Sequence, residues 1–424
     1  MNLAADGERP TRIGADGISR RRVLAALGGG LATAVLPRFP AFAQTPPRIA
    51  IVGGGLAGLS ALDTLAARGV PATLYEARAA AGGRTRSVRG VFAPDFAFDE
   101  GAQLINTDQA DMLRLVRRFG LRLVDRRGFG PFHEIQIGRD GREVREAGLA
   151  RALRGIAARI TADSDRLDAD YEAVAREIDA LSVRDYLDRH GLRPGEARDA
   201  LEAGIRTEYG AEPGDASALQ LVFNLPTVDG NAYEPLGTSD ERYVIEGGSQ
   251  RITDSLVEAH GGRIETGHRV VALAPAEGGR VTLRFASGNE PTVDRVILAL
   301  PASLLGEIDH GGLLSADWQA FASEVRLGAN EKLNAVYRRK PWTATPMGID
   351  GATWDLSENA QFSEVWECTG GQQAPQGVLS WYFGGEQTAS ACSWGKTCSP
   401  PACMRPGSPG SACRSACRRR GDSA

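Results

Sequence analysis

The chain has 424 residues, 42% hydrophobic and 24% charged, the composition of a globular protein long enough for two domains with separate cores. That excludes a disordered, collagenous or coiled-coil protein. A net charge of −4, from 49 basic and 53 acidic residues, argues against a nucleic-acid binder or a basic membrane patch. The histidines (His133, His190, His260, His268 and His310) stand at no metal-ligand spacing, so no metal site is expected. Both ends are basic and the body between them is acidic. Arginine is the default base here: the lysines are Lys332, Lys340 and Lys396, so each position that keeps lysine asks for a chemical reason.

Ser19-Arg20-Arg21-Arg22-Val23-Leu24 is a twin-arginine pattern. The apolar run to Leu36 is interrupted by Gly28-Gly29-Gly30, which leaves it too short and too glycine-rich for a stable membrane span. Ala41-Phe42-Ala43 is an A-x-A cleavage site. Residues 1–43 therefore read as a twin-arginine signal peptide. The mature chain is expected to start near Gln44, without a membrane span, in the periplasm or another exported compartment.

Arg48 to Val52 is a short apolar strand, followed by Gly53-Gly54-Gly55-Leu56-Ala57-Gly58, which matches G-x-G-x-x-G. Leu56 to Arg68 carries apolar residues at helical spacing and ends at Gly69, a good residue for leaving a helix. Ala72 to Glu76 is a second strand that ends in an acid. Each part has a physical task in a dinucleotide site. Gly53 permits the tight turn, Gly55 admits a pyrophosphate to the backbone, and Gly58 allows close helix–strand packing. The N–H groups that open the helix, at Leu56 and Ala57, stabilise phosphate charge, and Glu76 accepts from ribose hydroxyls. Strand, glycines, helix, strand and acid in that order make a specific signal.

Ala81-Gly82-Gly83-Arg84-Thr85 comes next, and Asp99-Glu100-Gly101-Ala102-Gln103 follows a plausible hairpin. With these two segments the sequence resembles the flavin-dependent amine oxidases, the family of monoamine, polyamine and L-amino-acid oxidases. The resemblance implies FAD as cofactor. It implies that Gly83 and Arg84 meet the pyrophosphate, and that Gly101 and Ala102 let the backbone close on the cofactor. It continues through Tyr243 to Ser249, a helix from Gln250 to Ala259, and a strand from Arg263 to Val271 in which Val270 matches the residue that meets adenine. Val281–Phe285 and Arg295–Pro301 complete the cofactor domain.

Residues 107–242 are largely helical in pattern, with Ser182 as an N-cap and Asp185 in the first turn. Tyr209, Phe223 and Tyr233 are candidate cavity-wall residues, though core packing explains each more simply. Val325 to Tyr337, before Pro341-Trp342, resembles the family segment whose lysine holds a water at flavin N5, and Lys332 is the matching position. A compact cation with rotatable donors suits that task, and the rigid fork of arginine does not. By resemblance, a neutral amine loses a hydride equivalent to the flavin, the imine is hydrolysed, and oxygen becomes hydrogen peroxide. Carotenoid desaturases and porphyrinogen oxidases share the architecture, and Lys332 favours an amine or amino-acid substrate over theirs. A nicotinamide-dependent dehydrogenase fits the Gly83-Arg84 and Gly101-Ala102 segments less well.

Leu379 to Gly385 is a core strand, and the sequence then changes character. Residues 391–424 contain no Leu, Ile, Val or Phe, and five of the six cysteines lie there, at Cys392, Cys398, Cys403, Cys413 and Cys417. Their spacing fits neither paired zinc ligands nor a supported disulfide framework. A disordered tail after a shift of reading frame is the expectation, with a truncated flavoprotein that holds at most the ADP half of FAD as the alternative function.

The expected fold is α/β: a Rossmann-like FAD-binding domain with an inserted substrate domain of mixed sheet and helices. The cofactor domain takes residues 44–106 and 243–305; the substrate domain takes 107–242, largely helical, and 306–390, largely sheet.

Overall fold

The computed structural model describes residues 46–129, 135–237, 239–340, 342, 352–389 and 391. Residues 1–43, read from sequence as a signal peptide, and the cysteine-rich stretch 392–424 lie outside the described residues.

Strand Ile49–Val52 is central to a four-stranded parallel sheet. It pairs with Ala72–Glu76 on one side and Arg295–Leu298 on the other, and Ile264–Thr266 adds to the outer edge of Ala72–Glu76. The strands read as apolar runs because both faces are covered, one by helices and the other by the antiparallel sheet that includes Val270–Ala276 and Arg280–Phe285. Helix Leu56–Ala67 buries Leu59 and Leu62, and helix Gln250–His260 buries Ile252 and Leu256, in one core with Ile51 and Leu74. The first helix ends as Gly69 requires. Gly69 takes φ +70°, its N–H donates to Ala66 O, and Val70 N–H donates to Leu65 O, closing a Schellman motif.

The single strand expected over 263–271 is two strands. Gly267, at φ +75°, breaks it, and Val270–Ala276 leaves the parallel sheet to pair antiparallel with Arg280–Phe285. Residues 110–125, grouped by sequence with the substrate domain, pack on the cofactor side. Helix Ala110–Arg118 places Leu115 and Val116 in that core, and Leu123–Asp125 pairs antiparallel with Tyr243–Ile245.

The substrate domain has a six-stranded mixed sheet backed by helices. Its order is Asn330–Tyr337, Gly377–Gly384, Glu364–Glu367, Ala352–Asp355, Ile135–Arg139 and Arg142–Glu143. The last two strands come from the stretch whose pattern is mostly helical, so the sheet draws on both parts of the domain. Five helices follow between residues 146 and 224, the longest Glu146–Ala169. Helix Val183–Arg189 starts as expected: Ser182 Oγ accepts from Asp185 N–H at 3.1 Å in a capping box.

Helix Glu196–Tyr209 lies close against the sheet. A Cβ on Gly384 would sit 1.9 Å from Arg206 O, and one on Gly328 would sit 1.6 Å from Tyr209 O. The two glycines admit the helix backbone to the sheet backbone. That approach carries the last turn of the helix, Thr207 and Glu208, to the wall of the cavity described next.

Candidate functional site

A cavity of about 1470 Å³ runs between the parallel sheet and the mixed sheet. Of the residues assigned to the cofactor from sequence, Gly53, Gly55, Leu56, Ala57, Glu76, Gly83, Arg84, Gly101, Ala102 and Val270 line it, and so does Lys332. Gly58 does not. Its role is spacing: a Cβ there would sit 1.9 Å from Gly53 O. Gly53 itself takes φ +109°, with its Cβ position 2.5 Å from Ala299 O at the end of the neighbouring strand.

Gly55 differs from both. The nearest atom to its Cβ position is Gly83 Cα, at 4.0 Å. The protein alone does not forbid a side chain there, so the open space belongs to what the cradle receives. Gly55 is the N-cap of helix Leu56–Ala67 and offers no side chain to the helix. The first helical N–H groups are therefore left to an anion. Glu76 accepts from Gly54 N–H at 2.7 Å and Arg78 N–H at 2.9 Å, which fixes its carboxylate at the cavity edge with lone pairs remaining for hydroxyl donors. Arg84 is exposed on the same wall. Donor-rich helix start, acid, arginine and open glycine together fit a dinucleotide.

Gly101 is glycine for a reason other than the one read from sequence. Its Cβ position is 1.8 Å from Arg84 O, so the residue lets two protein segments pass each other. The segment is held by Asp99, which accepts from Ser87 Oγ at 2.5 Å and Ser249 N–H at 2.9 Å. Burial pushes the Asp99 carboxyl up, and the bonds from Ser87 and Ser249 pull against that. These contacts tie the second motif to the start of helix Gln250–His260.

Lys332 crosses from the substrate sheet to this segment. Its Nζ donates to Gly101 O and to Gln103 Oε1, each at 3.2 Å, and lies 4.9 Å from the centre of the Trp366 ring. Trp366 Nε1–H donates to the same Gln103 oxygen at 3.0 Å. With Cys368 Sγ, which also donates to it at 3.7 Å, three donors converge on one amide oxygen, which orients Gln103. Burial pushes the Lys332 ammonium below its ordinary value, while Cys368, Asp99, Glu364 and Glu100 act the other way.

The mixed sheet presents one face to the cavity. Lys332 is in register with Tyr382, and Tyr382 with Glu364; two residues along, Asn334 is in register with Ser380 and Ser380 with Trp366. Sequence reasoning found Lys332 and missed Gln103, Glu208, Glu241, Glu364, Trp366 and Tyr382. A two-residue period through Leu379–Gly385 puts Tyr382 on the face opposite Leu379, but the partner strand that carries Glu364 and Trp366 has no motif of its own. Tyr209, Phe223 and Tyr233 do not line the cavity. Tyr209 donates to Gln220 O at 3.1 Å and packs on the helical core, Tyr233 is inside that core, and Phe223 is exposed.

Comparison with known proteins agrees with this arrangement. The family of flavin containing amine oxidoreductases matches residues 56–391. A Mycobacterium tuberculosis protein named as a flavin-containing monoamine oxidase is 25% identical over 317 residues, covering 70% of this chain and 66% of its own length. The putrescine oxidase of Kocuria rosea is 27% identical over 375 residues, covering 80% of this chain and 73% of its own. A solved putrescine oxidase bound to putrescine superposes with a TM-score of 0.68 at 22% identity, over 82% of this chain and 78% of that one. The chain thus spans about two thirds of the length of the first of these relatives.

Two glycine substitutions separate the cradle from the scaffold. Gly55→Val is expected to leave the thermal transition in place and abolish FAD binding, because its Cβ meets no protein atom closer than 4.0 Å and the side chain enters the space the cofactor needs. Gly58→Ala drives backbone against backbone, and a loss of roughly 2–4 kcal/mol in stability is expected. Thermal denaturation together with flavin absorbance checks both; a Gly55→Val protein that stays yellow contradicts the assignment.

Proposed function

The chain belongs to the flavin-containing amine oxidoreductase family, whose cofactor is FAD, and on that premise we propose that it oxidises an amine or amino acid to the imine with oxygen as acceptor. The observation that carries the reading is the ammonium of Lys332, set on the cavity wall against Gly101, Gln103 and Trp366.

FAD, when bound, supplies the two-electron chemistry: the amine loses two hydrogens to become the imine, and oxygen gains them to become hydrogen peroxide. The residues of the chain bind, orient and exclude. The glycine turn, the start of helix Leu56–Ala67, Glu76 and Arg84 hold the dinucleotide. Lys332 has three donors, of which Gly101 O and Gln103 Oε1 take two, leaving the third for a water on the cavity side. Burial favours the neutral amine of Lys332 more than in solvent, so the group can hold that water and exchange a proton with it. Tyr382 and Trp366 give the same wall an aromatic surface beside Lys332, suited to the carbon chain of an amine.

Export is part of the proposal, supported by the twin-arginine pattern of Ser19–Leu24 and the Ala41-Phe42-Ala43 site. The twin-arginine route carries folded proteins, which suits an enzyme that takes up its cofactor first. Protein recovered from an exporting host is expected to start near Gln44; an intact N-terminus contradicts it.

The functional test uses the full chain with FAD and a panel of amines and amino acids. One peroxide per amine consumed is expected. Lys332→Met should keep bound flavin and lose roughly a hundredfold in turnover, in the range of a positioned proton-transfer group. Unchanged turnover in that variant removes Lys332 from the mechanism. A colourless wild-type protein without peroxide overturns the reading in favour of a chain that holds at most the ADP half of FAD.

A further inference from the structure

The cavity has a second chemical feature that oxidation at one amine does not use. Beyond the row Lys332, Tyr382 and Glu364, its wall carries Glu208 from the last turn of helix Glu196–Tyr209, and Glu241 from the turn before Tyr243. Neighbouring strands are about 4.8 Å apart, so the backbones of Lys332 and Glu364 stand about 10 Å apart across the sheet. Lysine and acid thus occupy different places along one face.

The acids are built into this wall. Helix Glu196–Tyr209 is admitted to the sheet by Gly384 and Gly328, which bring Glu208 over it. Glu241 takes φ +40°, a left-handed conformation that costs a non-glycine residue about 1 kcal/mol. It is kept there by Asn106 Oδ1, which accepts from Glu241 N–H at 2.9 Å, and by Arg126, which donates to Glu241 O at 2.8 Å. Arg126 is the cation set against the acids, and its Nη1 is 3.8 Å from a Glu241 carboxylate oxygen. Its charge also acts on Glu364. Thr207 adds an independent sign of a missing partner. It lines the cavity and is 4% exposed, and its Oγ1 is buried without a hydrogen-bond partner among the described residues. A buried hydroxyl in that condition is uncommon and marks a place for a donor or acceptor from outside the chain.

We propose that Glu208, Glu241 and Glu364, with Thr207, form a subsite for a second ammonium group of the substrate, so that the substrate is an α,ω-diamine or polyamine rather than a monoamine or an amino acid. The proposal rests on the amine-oxidase reading of the cavity and deepens it. A distal carboxylate would gain no ion pair from these acids and would oppose their ionisation, whereas a distal ammonium favours the ionised carboxylates and pairs with them.

Glu208 and Glu364 hold their protons more tightly than ordinary carboxyls. Glu208 is open to the cavity, but the protein around it still disfavours its charge and pushes its carboxyl up to about 7, and Glu241 pushes it the same way. Glu364 is held well above the ordinary carboxylate range by burial first, then by Glu241 and Glu208, with Arg126 opposing. Tyr382, also facing these acids, is pushed up to about 12 and stays neutral; Lys332 is a cation on the same sheet face. An arriving ammonium favours the ionised carboxylates, so R–NH3+ and COOH become an ion pair and a proton leaves to solvent. Affinity for the distal ammonium therefore rises with pH through about 7, as the protons to be displaced are lost, and falls as the pH drops below it.

The test uses the FAD-loaded full chain and 2,5-diamino-2,5-dimethylhexane, whose amine carbons bear no hydrogen and so cannot be oxidised. The comparison ligand is 2-amino-2-methylhexane. Isothermal calorimetry near pH 7 in two buffers of different ionisation enthalpy should show the diamine binding roughly thirtyfold tighter than the monoamine. It should also show greater net proton release with the diamine than with the monoamine. Glu364→Gln and Glu208→Gln, each checked for folding by its thermal transition, should each reduce both the preference and the proton release. In turnover, diamines of four to eight carbons should exceed n-alkylamines of equal length in kcat/KM. Equal affinity for the two ligands, or no difference in proton release, overturns the proposal. Oxidation of monoamines without diamine preference overturns this proposal and leaves the amine-oxidase reading standing; absence of any amine oxidation overturns that reading, and the calorimetry still decides the subsite.

Discussion

The contact of Lys332 with Gly101 and Gln103 is the point on which the cavity depends. The parallel sheet and the mixed sheet are built from interleaved stretches of chain, each with its own core. Where they face each other, a cation from one is placed on carbonyl oxygens of the other. A lysine ammonium withdrawn from water is costly unless its donors are met. Here two oxygens and the face of Trp366 meet it, and Gln103 is itself aligned by the Trp366 indole. The same interaction that compensates the buried charge sets the spacing of the two walls and aims the remaining donor into the space between them.

Close backbone approach is the other recurring device. Gly58 against Gly53, Gly101 against Arg84, and Gly384 against Arg206 each bring two main chains nearer than any side chain allows. The first closes the turn that begins the nucleotide-binding helix. The second brings the motif carrying Gly101 under the one carrying Arg84. The third delivers Thr207 and Glu208 to the substrate side. Gly58 and Gly384 shape the cavity from behind its walls, while Gly101 and Gly55 lie on the wall itself and Gly55 keeps it open. The charge pattern follows from the result: donors and Arg84 at the nucleotide end, Lys332 at the junction, and carboxylates on the substrate side.

Much of the cofactor half was legible in the sequence because its chemistry depends on local spacing. A turn, a helix start and an acid at the end of the next strand are set within a few dozen residues, so Gly53, Gly55 and Glu76 could be named without a partner segment. The role of Gly101 was not legible, because the segment it accommodates is defined only when the chain is folded. Lys332 stood out by the rarity of lysine and by its segment. Glu364 and Trp366 did not, since their place beside Lys332 is a matter of strand register across Gly377–Gly384. The aromatic residues named as wall candidates turned out to serve the core or the surface, because helical periodicity locates a buried face without saying what it is buried against. Helix Ala110–Arg118 changed sides for the same reason: its apolar stripe fits either core, and only the fold shows that it covers the cofactor domain.

The central claim is that Lys332 is a half-buried ammonium held between the two halves of the site. The sequence makes that measurable, since Lys332, Lys340 and Lys396 are its only lysines. Selective carbon-13 labelling of lysine reduces the side-chain spectrum to three Cε signals, with Lys332→Arg to assign the one of interest. The account predicts that this signal titrates below the ordinary lysine range and moves when Gln103 is replaced by glutamate, whose charge stabilises the ammonium. A Lys332 signal that titrates as a solvent-exposed lysine and ignores the change at Gln103 would contradict it.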